Sequence, residues 1–125
     1  MKQQRFSIQK RIKSFGYAFN GLKILICEEH NARIHLLAVI CTVIAGILLS
    51  VSTMEWISLF FAMGFVITLE IVNSALENIA DFISPGRHDM IKKIKDLSAA
   101  AVLVSAFTAL IIGLVIFLPK ILRLL

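Results

Sequence analysis

From Trp56 to Asp81 the sequence runs without a proline or a turn signal, first strongly apolar and then carrying Glu70, Asn73, Ser74, Glu77 and Asp81. On an α-helix each residue turns about 100°. With Glu70 at zero, Asn73 falls near ~300°, Ser74 near ~40°, Glu77 near ~340° and Asp81 near ~20°. All five share one face. Ile71, Val72, Leu76, Ile79 and Ala80 form the other, which suits lipid or a neighbouring helix. A carboxylate within a membrane-spanning helix costs roughly 2.5–3.5 kcal/mol on insertion scales. Polar glue between helices needs only one Ser or Asn, so this stripe predicts a functional site compensated by protonation, a cation or a metal.

The rest of the chain supports a membrane setting. Of 125 residues, 58% are hydrophobic, which is too apolar for an ordinary soluble domain. One domain, residues 1–125, is expected, and the basic amphipathic start does not read as a cleavable signal peptide. Residues 5–28 predict an amphipathic helix on the membrane surface. Phe6, Ile8, Ile12, Phe15, Phe19, Leu22 and Ile26 recur at helical spacing, and Lys10, Arg11, Lys13 and Lys23 supply a basic side. The polar cluster Glu28-Glu-His-Asn-Ala-Arg-Ile-His35 then leads into a first span over 34–52, long enough for a hydrocarbon core of ~30 Å. Trp56 is placed as an interfacial anchor. The second span, 56–81, is about 37 Å long. Its end projects towards water, with Glu77 and Asp81 at the interface and Glu70 deeper. Ser84-Pro-Gly-Arg-His-Asp89 breaks the helix, and Ser84 to Lys95 reads as a basic loop. The third span covers 97–118 and opens on small residues suited to close helix contact.

Charge sets the topology. Seven of the thirteen Lys and Arg residues lie at or before Arg33 and four between Arg87 and Lys95, whereas Val51 to Glu55 has none. The positive-inside rule puts the N-terminus and the Ser84–Lys95 segment in the cytoplasm. The basic balance points to anionic headgroups and phosphates, not to nucleic acid. Cys27 and Cys41 would be ~21 Å apart along a helix, too far for a disulfide, and are expected to pack.

Carboxylates beside basic residues at a membrane surface fit phosphoryl transfer. Carboxylates hold Mg²⁺ that bridges nucleotide phosphates, another carboxylate takes the proton of an attacking hydroxyl, and lysines neutralise phosphate oxygens. Neither a G-x-x-x-x-G-K-[ST] loop nor the soluble-kinase H-R-D set is present. The same stripe is also compatible with a small proton-linked transporter or channel.

The pattern Glu70-x-x-Asn73-Ser74-x-x-Glu77-x-x-x-Asp81, followed by Lys95-Asp96-x-x-Ala-Ala-Ala-Val102, resembles the signature of the bacterial diacylglycerol kinases, small integral membrane enzymes. The resemblance extends to Gly16-Tyr17 and Glu29. The Glu29-x-Asn31-x-Arg33-Ile34-His35 entrance is similar to the Gram-positive-type branch, where undecaprenol is a substrate class. The resemblance implies an all-α membrane protein with a surface helix and three transmembrane helices, assembled as a homotrimer with shared active sites in the bacterial cytoplasmic membrane. It implies ATP as phosphate donor and Mg²⁺ as cofactor. Glu70 would be the general base and contact the lipid hydroxyl, assisted by Asn73. Glu29 and Glu77 would bind the metal and the nucleotide. Lys10, Tyr17, Gly86, Arg87, His88, Lys95 and Asp96 would contact the nucleotide, and Ser98 and Ala99 the lipid. Lys10 stands where the family often has Arg, and a lysine cannot make the bidentate phosphate contact. Leu97-Ser98-Ala99 replaces the Met-Gly-Ser of the best-known branch.

Overall fold

The computed structural model describes residues 5–125 and consists of four helices: α1 (Ile8–Glu28), α2 (His30–Leu48), α3 (Thr53–Ile83) and α4 (Asp89–Leu124). The last three are long and apolar enough to cross a membrane. They leave wide apolar surfaces uncovered, with Phe61, Phe82 and Val115 among the most exposed side chains. Such surfaces suit lipid or neighbouring helices, not water.

Each helix end follows from local chemistry. Ser7 caps α1, its hydroxyl accepting from the Lys10 N–H. The chain bends at Glu29, which is extended (φ −109°, ψ 113°) and ends α1 while starting α2. Arg33 holds this corner. Its Nε donates to Ile26 O at 2.7 Å and its Nη2 to Cys27 O at 2.6 Å. These carbonyls lie in the last turn of α1 and have no partner within the helix, so a cation there is doubly favourable.

α2 ends in a Schellman motif. Val51 N donates to Gly46 O and Ser50 N to Ile47 O. Ser50 takes the left-handed position (φ 52°) usually given to glycine, and Val51 is buried beyond it. Ser52 and Glu55 then close a reciprocal capping box on α3.

α3 and α4 form an antiparallel hairpin whose register is set at three levels. Lys120 meets Glu55 at 3.2 Å at one end, Ser98 meets Asn73 in the middle, and Lys95 meets Asp81 at the other end. A small apolar cluster, Val51, Leu59 and Ile116 with Trp56, Met63, Ile112 and Phe117, fills the α2–α3 turn end. Trp56 therefore packs inside the bundle as well as near its end, stacking on Phe60 and lying over Gly46. The opposite end is polar.

Two expectations are corrected. Asp89 to Lys95 is not loop: α4 begins at Asp89, with the His88 Nδ1 accepting from the Met90 N–H. Only 84–88 connects α3 to α4. Pro85 and Gly86 do end α3, but a competent cap three residues later restarts the helix before its apolar stretch. The cysteines do not pack within the chain, since both are exposed.

A Cβ on Gly46 would lie 2.5 Å from the Trp56 ring. The indole is too rigid to yield, so Gly46→Ala is expected to destabilise α2–α3 packing by about 1–3 kcal/mol. Thermal unfolding of the purified protein in detergent checks this.

Candidate active site

The polar end of the hairpin gathers most of the acidic stripe. Along α3, Glu70, Asn73 and Ser74 are buried, Glu77 is half-buried and Asp81 is exposed, giving a gradient from interior to water. Three of these side chains reach different helices. Asn73 accepts from the Ser98 hydroxyl of α4 at 2.6 Å, leaving its amide nitrogen available to a substrate oxygen. The Ser74 hydroxyl donates to Glu29 Oε1 at 3.2 Å, drawing the corner residue onto α3. Glu70 is 1% exposed and faces His35 of α2, with Nε2 to Oε2 at 3.7 Å. Among the described residues, Glu70 Oε2 is the one buried side-chain polar atom without a hydrogen-bond partner. An orphan of this kind costs about 1–3 kcal/mol or more, so the position stands out as one where folding was not the only requirement.

His35 also lies at one end of an apolar groove of about 400 Å³ between α2, α3 and α4, which passes Thr42, Val66, Ala106 and Leu110 and reaches Phe117.

The structure gives the remaining expected residues varied surroundings. Lys95 pairs with Asp81, and Lys92 with Asp96 at 2.6 Å. These are solvent-exposed pairs of little net worth, so either lysine is readily released to an anion. His88 caps α4, while Gly86 and Arg87 lie exposed in the connection. Lys10 and Tyr17 are exposed on α1, and Ala99 is exposed on α4. Among the described residues no side-chain hydrogen bond or ion pair joins any of these to the Glu70 cluster. Nor does any group of three His, Cys, Asp or Glu side chains there form a ready-made metal site. Mg²⁺ does not require one: it is usually held by one or two carboxylates together with substrate phosphates and waters. Glu29 rests on Ser74, and Ser74 lies one helical turn before Glu77. Glu29 and Glu77 are the two acids on which such an ion could draw here.

Sequence reasoning did not single out Arg33 and His35 within their polar cluster. Arg33 lies five residues past the end of α1, where a cation can meet the last carbonyls. His35 carries no such local signal, because its partner lies on another helix.

A helical bundle with a buried carboxylate below a half-buried acid, and lysines at the rim, fits a membrane-embedded phosphotransferase. Residues 16–117 match the prokaryotic diacylglycerol kinase family, and the chain belongs to it. It is 37% identical over 119 residues to the undecaprenol kinase of Bacillus subtilis, covering 95% of this chain and 97% of that one. It is 33% identical to a diacylglycerol kinase of Synechocystis, over 89% of this chain and 64% of that protein. Against the diacylglycerol kinase of Escherichia coli K12 it is 32% identical, over 80% of this chain and 82% of the other. The protein is thus a membrane lipid kinase that uses a nucleotide, and the proton-linked carrier reading falls away.

Removing the Ser98 hydroxyl leaves the Asn73 oxygen unpaired between α3 and α4. Ser98→Ala is expected to cost about 0.6–1.7 kcal/mol, read as a lower midpoint in thermal unfolding.

Proposed function

We propose that this protein transfers the γ-phosphate of ATP to the primary hydroxyl of a membrane lipid, diacylglycerol or undecaprenol, giving phosphatidic acid or undecaprenyl phosphate. The observation that carries the reading is Glu70: a buried carboxylate whose Oε2 has no hydrogen-bond partner, within a cluster of polar side chains drawn from α2, α3 and α4. Family membership and the similarity to undecaprenol and diacylglycerol kinases support the substrate class.

In this reading Glu70 takes the proton of the lipid hydroxyl as that oxygen attacks the γ-phosphorus and the bond to the β-phosphate oxygen breaks. The Asn73 amide nitrogen, its oxygen held by Ser98, steadies the hydroxyl. The lipid chain lies along the apolar groove that starts at His35. Glu29 and Glu77 hold Mg²⁺, which neutralises phosphate charge when bound. Lys95 and Asp96 leave their surface partners to meet the nucleotide, joined by Gly86, Arg87 and His88 from the connection and by Lys10 and Tyr17 from α1. Ser98 and Ala99 border the lipid. One domain, 1–125, carries the whole activity. α1 lies on the cytoplasmic face of the bacterial inner membrane, with the N-terminus and the 84–95 segment on that side. Three copies assemble and complete one another's sites, consistent with the exposed apolar faces.

Purified protein in mixed micelles with Mg-ATP and each lipid in turn tests the reaction. Glu70→Gln is expected to lower kcat by about 100- to 10,000-fold while nucleotide binding and thermal stability persist. Near wild-type turnover in this variant would remove Glu70 as the base. Glu77→Gln is expected to raise the Mg²⁺ concentration for half-maximal rate at least about tenfold, equivalent to about 1.4 kcal/mol. An unchanged magnesium titration would exclude Glu77 as a ligand.

A further inference from the structure

The mechanism above leaves His35 without a task. It is the one ionisable side chain paired with Glu70, sits on a different helix, and is about one-fifth exposed while its partner is 1% exposed. Its Nε2 lies 3.7 Å from Glu70 Oε2, the orphaned oxygen. That distance is too short for a water between them and too long for a formed hydrogen bond. It closes with a side-chain shift of less than about 1 Å, and catalytic hydrogen bonds are commonly long before substrate arrives.

We propose that His35 is a positioning residue for Glu70: its Nε2–H donates to Oε2 and turns the other carboxylate oxygen towards the lipid hydroxyl. The neutral Nε2–H tautomer and the cation both present a donor at this nitrogen, so the role does not require one particular charge on the ring. Two oxygens on a freely turning carboxyl compete for one proton. A donor fixed to one of them selects the face of the other, as orienting partners do for histidine bases and metal ligands. The placement suits this. His35 stands where the apolar groove meets the acid, so a lipid seated in the groove brings its hydroxyl past the ring and onto the oriented oxygen. The balance of the step is unchanged: the lipid O–H proton passes to Glu70, the new O–P bond forms, and the nucleotide β-phosphate leaves.

This inference rests on Glu70 being the base, and the test separates the two. His35→Phe fills the ring's space without a donor, whereas His35→Gln keeps an N–H at similar reach. With Mg-ATP and lipid in mixed micelles, the Phe variant is expected to lose kcat by about 10- to 100-fold, the range for removing an orienting partner, with KM for ATP unchanged. The Gln variant should stay within about threefold of wild type on the same grounds. Because the effect passes through Glu70, the double variant Glu70→Gln, His35→Phe should be no slower than Glu70→Gln alone. Full kcat in His35→Phe overturns the role, as does a further loss in the double variant. Thermal unfolding accompanies each assay, and if Phe blocks folding, a folded Gln variant that has lost kcat overturns it equally. A fast Glu70→Gln enzyme would instead strike at the base itself.

Discussion

One carboxyl group, Glu70, is taken almost completely out of solvent in the middle of an apolar helix hairpin. Much of the polar architecture makes sense as a response to it. A buried acid needs hydrogen-bonding neighbours or a chemical reason to lack them. Here α2 brings up a histidine, α3 adds an amide and a hydroxyl on the same face, and α4 supplies the serine that occupies the amide oxygen. Yet the amide and hydroxyl bond elsewhere, and Glu70 Oε2 has no hydrogen-bond partner. Incomplete satisfaction at a single buried atom leaves this carboxyl open to a further donor.

The hairpin that carries this group divides its labour by end. At the α2–α3 turn, apolar packing, the ring over Gly46 and the Glu55–Lys120 pair fix how α4 runs beside α3. At the other end the contacts are polar and, at Asp81, Lys92, Lys95 and Asp96, solvent-facing and exchangeable. A fixed end and a reorganising end on two continuous helices allow these exposed charged side chains to change partners without disturbing the register. The thin interior leaves most large side chains facing outward, and burial by lipid or neighbouring copies must complete the stability of the fold.

Much of this was readable in the sequence because helical geometry is so regular. Stepping 100° per residue places Glu70, Asn73 and Ser74 on one face, and these three are the buried polar residues of α3. The gradient to Asp81 followed from helix length against bilayer thickness. What escaped was whatever depended on a second element. His35 meets Glu70 across 35 positions of sequence, which no local pattern encodes. The bend at Glu29 has neither glycine nor proline to announce it and exists because Arg33 stabilises the exposed carbonyls. The residues from Asp89 to Lys95 looked like loop because they are charged and follow Pro-Gly, but polar residues continue a helix readily once capped and beyond the bilayer.

The corner between α1 and α2 consists of a single extended residue, and that residue is also the acid resting on Ser74. Adding or deleting one amino acid there would change the direction in which α1 leaves the corner and the face it presents. Its row of phenylalanines and isoleucines would be turned away from whatever plane they lie in, and the Glu29 carboxylate would be pulled off its hydroxyl in the same stroke. Chain length at this point is therefore bound as tightly as residue identity.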